Sequence, residues 1–237
     1  MNCYLNEFCK AYKNGNCPFP EFCVKKFKED KFYDLALVSE VQRKNVELYL
    51  DSTNDDYNAF LKLNNVKKNI EDFVLFGKNL YIFSTKTGNG KTSWSLKLLQ
   101  AYVNNIWYKK EISCVGLFIS VPRYLLSIKD AISNNNEYAK HIKENVLDAD
   151  LVIWDDIATK NMTEFETENV LSIIDARINL GKSNIFTSNI TNKELQLYVG
   201  DRLSSRILGT SEPIEFIGSD KRILCRGDVD GTVTSTQ

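Results

Sequence analysis

Apolar residues recur along this chain in two rhythms, short continuous runs and stripes at helical spacing. Leu80-Tyr81-Ile82-Phe83 is a continuous run and predicts a buried strand. The segment after it places Leu99, Tyr102, Val103 and Ile106 one helical turn apart and predicts a helix. Further runs at 113–121, 149–157 and 185–189 predict strands, and Ile214-Glu215-Phe216-Ile217 predicts a last one. The stretches between them read as helices. One covers 57–75 and carries Phe60, Leu61, Val66, Ile70 and Phe73. Another starts at Pro122, a residue suited to a first helical turn, and runs through Leu125, Leu126, Ile128 and Ile132. A third opens on the capping box Thr163-Glu164-Phe165-Glu166, carries Val170, Ile173, Ile174 and Ile178, and stops at Gly181. Thr191 to Glu194 reads as a second capping box, with Gly200 as the stop. Upstream, a looser stripe of Leu37, Val38, Val41, Asn45 and Leu48 predicts a helix from Lys31 to about Leu50. Strand and helix alternate from about residue 56 onward, which predicts an α/β domain with a central parallel sheet flanked by helices.

Chemistry is concentrated where predicted strands end. Ser84 is followed by Thr85-Lys86-Thr87-Gly88-Asn89-Gly90-Lys91-Thr92-Ser93, a glycine-containing loop between strand and helix. Glycines let successive N–H groups turn inward onto phosphate oxygens, and the helix that starts there aims its positive end at the same anion. Lys91 would bridge the β- and γ-phosphates of ATP and Thr92 would ligate magnesium. The usual P-loop spacing has a further glycine where Thr85 stands. The run Leu151-Val152-Ile153-Trp154 delivers Asp155 and Asp156 at a strand end, where open α/β sheets bind ligands. Asp155 would hold the magnesium and Asp156 would orient or activate the attacking water. Aspartate is shorter than the glutamate common at that second position, so weak or partner-stimulated hydrolysis is expected. Asn189 ends another strand and could hydrogen-bond the lytic water or γ-phosphate. Arg202 and Arg206, four apart, share a helix face.

The remaining numbers narrow the setting. The chain has 237 residues, 43% of them hydrophobic, with a formal net charge of −1. That leaves no global basic field, so any nucleic-acid binding must come from a local patch. No run approaches the roughly 18 apolar residues of a membrane span. The first residues lack the basic start and apolar stretch of a signal peptide, so the cytoplasm is the expected location, with no membrane partner. Four of the six cysteines, Cys3, Cys9, Cys17 and Cys23, fall in the first 23 residues among turn formers. In a reducing compartment such a cluster suggests a metal. Four thiolates would close a structural zinc site that staples a segment too small for its own core. An iron–sulfur cluster and four reduced thiols are the alternatives. Cys114 and Cys225 read as buried core thiols. The polar stretch 51–56 reads as a linker, giving a cysteine-rich module over 1–55 and an ATPase domain over 56–237.

Several stretches taken together resemble one family. They are Gly88-Asn89-Gly90-Lys91-Thr92, Leu117 to Pro122, Val152 to Ile157, Ile185-Phe186-Thr187-Ser188-Asn189 and Asp201 to Arg206. In this order they resemble the AAA+ ATPases of replicative helicase loaders of the DnaC/DnaI type, which are related to IstB-like transposition helpers and the DnaA initiator. The resemblance implies sensor I at Asn189, an arginine finger acting in trans at Arg206 and sensor II at Arg222. It further implies ATP between subunits of a homo-oligomer on single-stranded DNA, with a DnaB-type replicative helicase held by the N-terminal module. A transposition helper ATPase and a non-loading ATP-binding regulatory module are the alternatives.

Overall fold

A computed structural model describes residues 24–44, 55–131 and 136–218. Five parallel strands form one sheet in the order β2-β3-β4-β1-β5: β1 (Asn79–Phe83), β2 (Gly116–Ser120), β3 (Leu151–Asp155), β4 (Ser183–Ser188) and β5 (Ser211–Glu215). β1 and β4 pair centrally, with Phe83 opposite Ser188. From β1 the chain crosses to β2 at one edge, and from β4 it returns past β1 to β5 at the other. Loops therefore diverge at the C-terminal ends of β1 and β4 and leave a crevice there.

Helices cover both faces, as parallel sheets require. The P-loop helix, α5 (Lys91–Ile106), buries Leu99, Tyr102, Val103 and Ile106, the stripe expected from the sequence. On its side lie α3 (Tyr57–Lys68) and α4 (Ile70–Leu75), with Phe60, Leu63, Ile70 and Phe73 in the same core. On the other face α6 (Val121–Asp130), α7 (Glu137–Asn145), α8 (Glu164–Asn179), α9 (Leu195–Val199) and α10 (Asp201–Thr210) enclose Tyr81, Trp154, Phe186 and Ile174. Pro122 sits in the first turn of α6, and the Thr163/Glu166 capping box of α8 has both its bonds.

Several sequence expectations are corrected. The helix expected over 57–75 is two helices, because Asn69 leaves helical geometry (φ −113°) and turns its side-chain amide back onto the Asn65 carbonyl. The upstream helix is displaced: α1 spans Val24–Leu35, and only the short α2 (Glu40–Arg43) follows, with residues 45–50 outside the described ones. Leu37 takes φ +62°, which ends any helix. The looser stripe there was a packing signal of another kind. Phe32, Ala36 and Val38 join the core of α3 and α5, and the Ala36 carbonyl accepts from the Phe118 N–H at the outer edge of β2. An edge strand is thereby covered. The second capping box does not form. The Thr191 hydroxyl donates to the Glu194 carboxylate at 2.7 Å, and α9 starts only at Leu195. Finally, β5 begins at Ser211 and includes Pro213, which an edge strand tolerates.

Candidate nucleotide site

The P-loop leaves β1 at Ser84 and enters α5 at Lys91. Gly88 (φ +70°) and Gly90 (φ +101°) occupy left-handed conformations that suit glycine. Thr85, which stands where the motif has another glycine, is exposed and has no positive φ. The loop therefore closes without glycine at 85. Inside the loop the fully buried Asn89 donates to the Ser84 hydroxyl at 2.6 Å and accepts from Lys91 Nζ at 3.1 Å. Lys91 Nζ also donates to the Lys86 carbonyl at 3.0 Å. The ammonium group is thus held over the loop, where phosphate oxygens would replace these carbonyl and amide oxygens. Lys86 turns the other way and donates to the Ile217 carbonyl at 2.8 Å, tying the loop to the chain leaving β5. Thr87 is exposed, and Thr92 and Ser93 are half-buried in the first turn of α5.

Across the crevice β3 ends at Asp155. Its Oδ1 accepts from the Thr92 hydroxyl at 2.9 Å and from the Thr187 hydroxyl at 2.8 Å. Burial pushes the Asp155 carboxyl up to about 6, further raised by neighbouring Asp156 and opposed by the hydroxyl donors Thr187 and Thr92 and by Lys91. Asp156 turns out of the strand with φ +58° and donates its N–H to Thr187 Oγ1 at 2.9 Å. Thr187 thus bridges both aspartates, donating to one and accepting from the other. The sequence pointed to Asn189 in this strand and passed over Thr187. The available signal was period-two alternation, since residues 185, 187 and 189 share one face. Asn189 follows β4 directly, beside the P-loop entry where the Ser84 N–H donates to the Ser188 carbonyl.

The donor set fits a magnesium nucleotide. One carboxylate and one hydroxyl are hard oxygen ligands in contact, and a helix N-terminus with an ammonium group faces the same space. Among the described residues no three His, Cys, Asp or Glu side chains gather as a metal site. Cys3, Cys9, Cys17, Cys23, Cys225 and Arg222 lie outside the described residues. Cys114 is half-buried, its Sγ 3.4 Å from the Leu35 and Gly116 carbonyls. Arg206 lies on α10, with its Nε 2.6 Å from Asp175 on α8. A groove of about 860 Å³, lined by Tyr124, Phe165 and Ile173, contains none of these site residues.

Comparison with known proteins decides the family. The bacterial DnaA ATPase domain matches residues 60–210, more than half of the chain. The chain belongs to the DnaA-type ATPase domain family. Within the matched span lie the P-loop, Asp155, Asp156, Asn189 and Arg206. The replicative helicase loader DnaC of Buchnera aphidicola subsp. Baizongia pistaciae is 28% identical over 140 residues, covering 57% of this chain and 54% of that protein. The chain thus aligns with about half the length of this curated relative. Solved structures share the DnaA-type fold. The DnaC helicase loader superposes with a TM-score of 0.59 at 20% identity, over 76% of this chain and all of that one. DnaI gives 0.57 at 21%, over 75% and 93%. A replication initiator DnaA bound to AMPPCP and single-stranded DNA gives 0.53 at 19%, over 71% and 48%. The expected α/β architecture with a central parallel sheet is therefore shown. Among the described residues no helix is long and apolar enough to cross a membrane.

Proposed function

We propose that this chain is an ATP-dependent loader of the replicative DNA helicase. The carrying observation is the Thr92–Asp155 contact at the P-loop mouth, in a chain whose curated relative is a DnaC helicase loader. Gly88, Gly90 and Lys91 would hold the phosphates, and Thr92 and Asp155 the magnesium, which neutralises charge on the phosphates when bound. Asp156, fixed by its N–H on Thr187, would orient the attacking water, and Asn189 would hydrogen-bond that water or the γ-phosphate. Arg206 would act in trans on the nucleotide of a second copy, with Arg222 as sensor II, so the working form is a homo-oligomer. Single-stranded DNA is the proposed nucleic-acid partner, as for the DnaA relative solved with it. The cytoplasm is the proposed site of action.

Helicase docking belongs to the N-terminal unit drawn over residues 1–55. Residues 32–38 of that unit contribute to the core around β2 and α5, so we place the docking part in residues 1–23. Zinc on Cys3, Cys9, Cys17 and Cys23 would staple that part. Native mass spectrometry of the full chain with a purified replicative helicase hexamer, with and without magnesium and ATP, tests the reading. A defined complex whose abundance follows the nucleotide is expected, with about one zinc per chain. No complex under any nucleotide condition would overturn the loader reading and favour a transposition helper.

A further inference from the structure

An arginine that serves a neighbouring subunit must be held by its own. Arg206 projects from α10, and its side chain is 53% exposed. Its Nε lies 2.6 Å from Asp175 Oδ1 on α8. The two helices are fixed against each other by Leu171, Ile174, Leu203 and Ile207, all in one core. Around the pair an open recess of about 440 Å³ is lined by Leu171, Asp175, Asp201, Arg202, Ser205 and Arg206. Asp175 Oδ1 is shut off from solvent, and no group makes a regular hydrogen bond to it, so the Arg206 ion pair is its only close polar contact among the described residues.

Two consequences follow from that geometry. Guanidinium has five N–H donors, and Asp175 contacts it at Nε as an ion pair rather than through a regular hydrogen bond. Nη1 and Nη2, with four of the five donors, have no protein partner among the described residues and are the fork that grips phosphate. The Asp175 side chain is 30% exposed, so water reaches part of its carboxylate, but a swing of Arg206 away would leave the enclosed Oδ1 without its close polar contact, which is unfavourable. Contact at Nε leaves the terminal nitrogens to act.

We propose that Asp175 is the positioning residue for Arg206, setting the guanidinium fork toward the γ-phosphate held by the next subunit. Asp175 touches neither nucleotide nor magnesium. The assignment rests on the trans-acting role proposed for Arg206, and the test separates the two. Lys91→Ala supplies an intact Arg206 but lacks the P-loop lysine. Arg206→Ala binds nucleotide but lacks the arginine. Mixed together they are expected to restore hydrolysis, because one fills what the other lacks. A Lys91→Ala/Asp175→Asn donor is expected to restore between about 10- and 100-fold less, the loss that follows a displacement of about 1 Å. In the otherwise native chain Asp175→Asn should lower kcat by that factor and leave the KM for ATP and the thermal midpoint within error. Asp175→Glu should recover part of the loss. If Arg206→Ala alone hydrolyses like the native protein, the trans role itself fails. If Arg206→Ala is inactive and the double-variant donor restores as fully as Lys91→Ala, the trans role stands and Asp175 is not its positioning residue. A fall in thermal midpoint that accounts for the lost rate would reduce Asp175 to a structural part and overturn the proposal.

Discussion

The two ends of the sheet each carry a polar cluster, and they are built on opposite rules. At the N-terminal ends of the strands Arg177 is fully buried. Its Nε donates to Asn184 Oδ1 at 2.8 Å, and its terminal nitrogens donate to the carbonyls of Val146, Ala149 and Ser183. Asn184 Oδ1 also accepts from Trp154 Nε1, and its amide nitrogen donates to Asn79 Oδ1 and the Lys182 carbonyl. Each member of this cluster finds several complementary partners. At the C-terminal ends the groups are held apart from their comfort. Asp155 is charged at neutral pH although burial raises its carboxyl, Asp156 takes a left-handed backbone, and Lys91 leans on oxygens that phosphate would displace. A satisfied buried network specifies the fold, whereas an unsettled one is poised for a ligand.

Breaking the settled end should show first in stability. Arg177→Met strands several buried acceptors and is expected to cost about 3 kcal/mol or more, read by urea unfolding, with nucleotide affinity unchanged in the fraction that folds. At the unsettled end, Lys91→Ala should weaken Mg·ATP binding about 100-fold, the worth of a strong charge-assisted hydrogen bond, with little change in urea midpoint. Calorimetric titration decides it. Thr187→Val removes the hydroxyl that bridges Asp155 and Asp156. Hydrolysis should fall about tenfold, equivalent to 1.4 kcal/mol, while ATP binding persists.

A pH dependence confined to acid is expected away from both clusters. Burial raises the Glu166 carboxyl, but the Thr163 N–H and the ammonium groups of Lys129 and Lys160 outweigh it and hold it at about 2. Its folded value lies below its ordinary one. Its contribution is therefore complete above about 4.5 and is lost as pH falls toward 2. Glu166→Gln should flatten the thermal midpoint over that window and leave it curved elsewhere.

Much of this architecture could be read from residue order. Continuous apolar runs located β1, β3 and β4 because strands buried on both faces need them. The Gly88, Gly90 and Lys91 spacing located the phosphate loop because left-handed turns want glycine. What escaped was set by tertiary contact. α7 buries only Ala139 and Ile142, so its stripe is faint, although Asn136 caps it through the Tyr138 and Ala139 N–H groups. Residues 36–38 look helical in sequence but are drawn out to cover β2, while Val41 stays 75% exposed. Thr187 and Asp175 gain meaning only from partners 32 and 31 residues away. The lone histidine, His141, meets the Leu35 carbonyl at 2.8 Å across 106 residues, closing the end of α1.

The contrast between the two ends is tested most directly by thermal unfolding of the native protein and Asp155→Asn, each without ligand, with ATP plus magnesium, and with ATP plus chelator. Asp155 has a folded value near 6, above the ordinary carboxylate value of about 3.9. The native protein should therefore lose stability as pH rises through that interval, and ionised Asp155 should cost on the order of 1–3 kcal/mol at pH 7. Asparagine accepts the same two hydroxyl donors without charge. The account predicts a higher midpoint for Asp155→Asn without ligand, and no gain from magnesium over chelator, where the native protein shows one. A midpoint at or below the native one, or an undiminished magnesium gain, would contradict it.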